Sequence, residues 1–199
     1  GQSDDEYMEI LNNAALVLPD GAGTVWAGRE LGYEVPERVA GYDLFLNLMT
    51  EAAQKKLKVF FFGSAPGVAE EAKQKCEMLY PGVSIVGCTD GYFKDEDNLA
   101  IVEEINNSGA DLLFVALGAP KQEKWLAKFQ DILKPSLLMG IGGSFDVVAG
   151  KMERAPKWMQ DASLEWLFRL YKQPSRFGRM LVLPKFVIKV LRIKSYKAS

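Results

Sequence analysis

The sequence predicts an α/β fold, a parallel sheet flanked by helices, with a basic helical appendage at its C-terminus. Short apolar runs bounded by Gly or Pro predict buried strands, and amphipathic patterns between them predict helices. A change of composition near residue 150 predicts the appendage.

Taken in chain order, "SDDE" at Ser3–Glu6 fits a capping box, so a helix is expected to start almost at once. Leu16–Leu18 reads as a short strand that runs through Pro19-Asp20-Gly21 into a helix. Strands are then expected at Lys58–Phe62, Val83–Gly87, Asp111–Gly118 and Ser136–Ile141, with helices at about 41–56, 66–79, 97–107 and 120–133. Repeated strand–helix units of this kind build a Rossmann-like body. Small, flexible residues follow every strand: "PDGAG", "GSAPG", "GCTDGYF", "GAPKQE" and "GGSFD". Ligands of such sheets bind beyond the carboxyl ends of the strands, so five strand ends are expected to line one cleft.

After Gly150, Pro156, Pro174 and Pro184 punctuate helical stretches expected at about 157–172, 174–182 and 185–196. The expected organisation is a catalytic body over 1–152 and a membrane-associating appendage over 153–199. Charge supports the division. Residues 1–165 hold 15 Lys/Arg against 26 Asp/Glu, a net −11, while residues 166–199 hold 9 Lys/Arg and no acid. Lys185, Lys189 and Arg192 recur at helical spacing among Phe186, Val187, Val190, Leu191 and Ile193. No apolar run approaches the ~18 residues of a membrane span, so this is an amphipathic basic helix. Such a face suits an anionic lipid surface or nucleic acid; the aliphatic "MLVLP" and "FVIKVL" favour lipid.

Composition narrows the chemistry. The chain has no histidine, which excludes a Ser-His-Asp or Cys-His pair, so a proton acceptor is expected to be Asp or Glu. The two cysteines, Cys76 and Cys88, lack metal-ligand spacing and suggest a reducing, cytoplasmic setting. Neither "GAGTVWAG" nor "GIGGSF" completes the dinucleotide fingerprint: Trp26 and Phe145 stand where the third glycine belongs. No cofactor is therefore expected. Asp95-x-Asp97 has the form of a metal motif, but it precedes a helix, where acids favour the dipole, and no metal is expected.

Asp20, between Pro19 and Gly21, reads either as a turn or cap residue or as a carboxylate placed to accept a proton. Arg38, Tyr92, Gln122 and Asp146 are expected on the cleft side. Singly each reads as a surface or packing residue; together they supply the cation, aromatic face and polar groups that a nucleotide-sugar pocket requires. Arg169, Arg176 and Arg179 flank Pro174 as a further cationic group.

The motifs "LVLPDGAGTVWAGRELG", "ERVAGYDL", "FFFGSAPGVAEEA", "YPGVSIVGCTDGYF", "DLLFVALGAPKQEKW" and "GIGGSFDVVAGKMERAPKWMQDASLEWLFRLYKQPSR" resemble, in order and over nearly the whole chain, the WecG/TagA/CpsF glycosyltransferases. The ending and basic tail resemble the TagA branch most. The resemblance implies metal-independent, inverting transfer of N-acetylmannosamine (ManNAc) from UDP-ManNAc to the 4-hydroxyl of N-acetylglucosamine (GlcNAc) on undecaprenyl diphosphate, in assembly of the teichoic acid linkage unit. It implies Asp20 as catalytic base, Arg38, Tyr92, Gln122 and Asp146 around the donor, and Arg169, Arg176 and Arg179 at the diphosphates of donor or acceptor. It also implies a peripheral enzyme on the inner face of a bacterial plasma membrane, and a further N-terminal segment, with a threonine near the active site, ahead of Gly1.

Three alternatives stay open: a relative using UDP-ManNAcA or UDP-glucose, a non-catalytic nucleotide-binding module on the membrane, and an oxidoreductase, disfavoured by the broken fingerprints. The tail's apolar faces are expected to dock over the active site or to self-associate as a homo-oligomer.

Overall fold

A computed structural model describes residues 4–162, 164–172, 174, 178 and 182–197. The chain forms two compact units, Gly1–Val17 with Tyr42–Met152, and Leu18–Gly41 with Glu153–Ser199. The expected organisation gave Leu18–Gly41 to the body; their contacts group them instead with the C-terminal residues.

In the first unit, α1 (Asp5–Asn13) is capped by the Asp4 carboxylate, which accepts from the Tyr7 amide at 3.0 Å. The cap is thus one residue later than the expected Ser3 box, and Ser3 lies outside the described residues. Helix α3 (Gly41–Lys55) buries Phe45, Met49 and Ala52, one stripe at helical spacing. The βα units then follow: β1 (Lys58–Gly63), α4 (Val68–Leu79), β2 (Ser84–Thr89), α5 (Asn98–Asn107), β3 (Leu112–Ala116), α6 (Lys121–Phe129), β4 (Leu137–Gly140) and α7 (Ser144–Val148). The four strands are all parallel, in the order β2-β1-β3-β4.

Three consecutive phenylalanines in β1 are accommodated because both faces of the sheet are covered. Alternate side chains point to opposite faces. Phe61 joins Phe45, Phe114 and Phe145 on one side, with the Phe45 and Phe114 rings edge to face at 4.9 Å. Phe60 and Phe62 join Ile105, Leu113, Val115, Trp125 and Phe129 on the other. The Trp125 indole N–H donates to Asn98 Oδ1 at 2.7 Å, so this apolar layer leaves its one indole donor satisfied.

The expected strand at Leu16–Leu18 does not form. That stretch is irregular, with no strand partner among the described residues, and Leu16 and Val17 are 72% and 57% exposed. An apolar triplet ending at a proline, which lacks an N–H, has little capacity to hold a ladder. Four strand ends, not five, therefore belong to the sheet.

The second unit contains α2 (Ala22–Glu30), α8 (Lys157–Asp161), α9 (Glu165–Lys172) and α10 (Val182–Lys197). The single helix expected over 157–172 is divided after Asp161, where the Leu164 amide folds back to the Met159 carbonyl at 2.7 Å. Pro184 lies inside the first turn of α10 rather than ahead of it; there its missing N–H leaves no intrahelical bond unmade. Helix α10 packs on α2, burying Val190, and Lys194 pairs with Glu30 at 2.6 Å. Most of the helix expected over 174–182 lies outside the described residues. Among the described residues, no helix is long and apolar enough to cross a membrane.

Candidate active site

The segments after all four strands of the first unit line an open cavity of about 780 Å³. Its polar lining comes from Ser64, Tyr92, Lys94, Lys121 and Asp146. Ser64 joins the strand ends. Its amide donates to Ala116 O at 2.8 Å, its carbonyl accepts from the Gly91 amide at 2.8 Å, and its hydroxyl donates to Asp146 Oδ2 at 3.2 Å. It does so with φ of +60°, a conformation rare for a residue with a side chain and characteristic of functional sites.

Tyr92 stands 76% exposed at the rim, on a turn closed by its own amide donating to Asp90 Oδ1 at 2.8 Å. Lys121, the first residue of α6, carries its ammonium 4.6 Å from the centre of the Phe93 ring. A cation at a helix start, a hydroxyl beside a carboxylate and an exposed aromatic face suit a ligand with phosphates, hydroxyls and a flat base.

Gln122, expected around the donor, spends its amide on the backbone of two loops. It is buried and does not line the cavity. Its Oε1 accepts from the amides of Gly118 at 3.1 Å and Gly142 at 3.0 Å, and its Nε2 donates to Glu123 at 2.8 Å. It braces the loops after β3 and β4 against each other. Asp95 and Asp97 form a short 3₁₀ turn at the start of α5, and Asp97 accepts from the Lys94 amide at 2.9 Å. Burial pushes the Cys76 thiol up to about 12, which removes it as a nucleophile at neutral pH.

A second polar cluster lies in the other unit. Asp20 does not cap α2, whose N-cap is Gly21 without a side-chain bond. Its Oδ2 instead accepts from the amide of Gly41 at 3.2 Å, and its Oδ1 meets Arg38 Nη2 at 3.3 Å. The carboxylate is 57% exposed, and two contacts leave part of its acceptor capacity open. Arg38 also donates through Nε to the Asp20 carbonyl and through Nη2 to Glu165 Oε2. Glu165, only 13% exposed, pairs on its other oxygen with Arg154 Nε at 3.6 Å.

The cavity thus contains Tyr92 and Asp146, and the second cluster contains Asp20 and Arg38. Arg169 falls in α9 with its side chain outside the described set, and Arg176 and Arg179 lie outside the described residues altogether. Ser64, Lys121, Glu165 and Arg154 were not anticipated. Glu165 carried one signal: it is the last acid in the chain, at the border of a stretch holding nine cations.

A parallel α/β sheet with a polar cleft at its strand ends defines a ligand-binding α/β class that hosts many functions, and comparison with known proteins narrows it. The WecG/TagA/CpsF glycosyl transferase family model matches residues 1–198, and the chain belongs to that family. It is similar to the N-acetylglucosaminyldiphosphoundecaprenol N-acetyl-beta-D-mannosaminyltransferase of Bacillus spizizenii (strain ATCC 23059 / NRRL B-14472 / W23), at 41% identity over 94% of the chain and 72% of the relative. It is similar also to the protein of the same name from Bacillus subtilis (strain 168), at 37% identity over 98% of the chain and 76% of the relative. The chain is a glycosyltransferase.

Proposed function

We propose that this glycosyltransferase moves ManNAc from UDP-ManNAc to the 4-hydroxyl of GlcNAc-diphospho-undecaprenol in building the teichoic acid linkage unit; the reading is supported by its two relatives, each named as an N-acetyl-beta-D-mannosaminyltransferase of N-acetylglucosaminyldiphosphoundecaprenol. The observation that carries the catalytic assignment is the half-exposed Asp20 carboxylate, held by Arg38 and the Gly41 amide with acceptor capacity to spare. In the proposed step Asp20 takes the proton of the acceptor hydroxyl as its oxygen bonds to the anomeric carbon. The bond from that carbon to the diphosphate breaks on the opposite face, UDP departs with the electron pair, and configuration inverts. The cavity of the first unit holds the donor: Tyr92 offers a face to the base or sugar, Ser64 and Asp146 engage hydroxyls, and Lys121 faces phosphate charge. Arg169, Arg176 and Arg179 supply further cations for the diphosphates of donor or acceptor, which stabilises the departing UDP.

The test is UDP release with a short-chain lipid-diphosphate GlcNAc as acceptor and UDP-ManNAc, UDP-ManNAcA and UDP-glucose as donors. UDP-ManNAc is expected to lead by ~10⁴-fold in kcat/KM, the discrimination available to a pocket that hydrogen-bonds polar substituents. A lead for either other donor would overturn the sugar assignment.

We further propose that α10 docks the enzyme on the anionic inner face of the plasma membrane. Phe186, Val187, Ile188 and Leu191 are exposed beside Lys185, Lys189 and Arg192. Because α10 also packs on α2, charge reversal tests this more cleanly than truncation. Lys185→Glu, Lys189→Glu and Arg192→Glu combined is expected to cut sedimentation with phosphatidylserine vesicles at least ~10²-fold, at ~1 kcal/mol for each cation removed. Unchanged sedimentation would locate the membrane contact elsewhere.

A further inference from the structure

We propose that Glu165 is a positioning residue for the transfer reaction: it holds Arg38 in the orientation that leaves the Asp20 carboxylate able to accept a proton. The inference rests on the reading of Asp20 as the base.

The geometry carries it. Arg38 is fixed at three points: its Nε on the Asp20 carbonyl, and its Nη2 shared between Asp20 Oδ1 and Glu165 Oε2. Nη2 lies at 3.3 Å from Asp20, beyond the 2.7–2.9 Å typical of a charge-assisted bond. The same nitrogen is also paired with Glu165 Oε2. Arg38 therefore holds Asp20 in place by a long single contact rather than by the closed two-bond fork that arginine and carboxylate otherwise favour.

Glu165 is itself anchored. It is 13% exposed, a burial that a carboxylate tolerates only when paired, and Arg154 faces its second oxygen at 3.6 Å. With Glu165 neutral, Asp20 is the one acid left paired with the guanidinium among the described residues, and Arg38 would be drawn onto it. The long contact to Asp20 Oδ1 would then tighten into a full charge-assisted bond, while Oδ2 stays on the Gly41 amide. A base so engaged accepts a proton less readily, and the acceptor hydroxyl loses its approach.

The experiment compares UDP release by the wild type, Glu165→Gln, Arg38→Gln, Arg38→Gln/Glu165→Gln and Asp20→Asn, with UDP-ManNAc and the short-chain acceptor. Glu165→Gln is expected to lower kcat ~10–100-fold, the scale of a small misplacement of a reacting group, with KM for UDP-ManNAc unchanged. Because Glu165 acts through Arg38, the double variant is expected to match Arg38→Gln. Glu165→Asp, which keeps the charge, is expected to recover part of the rate. A wild-type kcat in Glu165→Gln, or losses that multiply in the double variant, would overturn the proposal while an inactive Asp20→Asn left the base assignment standing. Full activity in Asp20→Asn would overturn both. Should Glu165→Gln fold poorly because it removes the acid that Arg38 and Arg154 share, the double variant removes one of those cations, and a rate below that of Arg38→Gln would still overturn the proposal.

Discussion

Asp20→Asn is expected to lower kcat for sugar transfer by ~10³-fold or more while leaving UDP binding intact. General-base catalysis contributes on the order of 10²–10⁴-fold, and in a chain without histidine no imidazole stands ready to replace the lost carboxylate. The substitution keeps shape and volume. The amide oxygen can still accept from Gly41 or from Arg38, but not from both as the carboxylate does at 3.2 and 3.3 Å. The donor left over is close to solvent, since the Asp20 side chain is 57% exposed, so water can satisfy it. Folding stability should therefore fall by less than about 1 kcal/mol, the scale of an exposed ion pair. Matched urea unfolding curves with collapsed UDP release would separate a chemical role from a structural one. Transfer within ~3-fold of wild type would remove Asp20 from the mechanism.

The parts of the molecule that were legible in the sequence are those specified locally. "KVFFF" announces a strand covered on both faces, because three bulky apolar residues in succession have no solvent side to present. Phe45, Met49 and Ala52 announce a buried helix stripe by spacing alone. The errors arose where the outcome depends on a distant partner. Leu16–Leu18 carries strand-forming residues, yet a strand exists only where another chain segment completes its ladder. Gln122 was expected near the donor from its place at the start of a helix beyond β3; that its amide satisfies two backbone N–H groups, one of them twenty residues away, was not legible. Glu165 and Arg38 meet across 127 residues, and no periodicity encodes that meeting. The grouping of Leu18–Gly41 with the C-terminal residues is invisible for the same reason, although the charge change near residue 165 was plain.

Gly63→Ala is expected to be among the most destabilising single changes available, because it combines a forbidden backbone angle with an immovable neighbour. Gly63 ends β1 at φ +119°, and a Cβ built there would lie 2.5 Å from the carbonyl carbon of Ala116 and 2.6 Å from its oxygen. Ala116 is the register partner of Gly63 in the β1–β3 ladder, so the obstacle is the backbone of the adjacent strand rather than a side chain that could rotate away. Relief requires parting the two strands at the end where Ser64 donates to Ala116 O and accepts from Gly91, the bonds that shape the cavity. Backbone strain and overpacking together should cost roughly 3–5 kcal/mol, read as a lowered urea midpoint. UDP affinity of the protein that remains folded should fall as well. Gly67→Ala provides the comparison: it has φ of +82°, but nothing lies within 4 Å of its would-be Cβ. There only the left-handed conformation is penalised, by about 1 kcal/mol. Equal losses at the two positions would mean that the dihedral, and not the close approach of β1 to β3, is what reserves residue 63 for glycine.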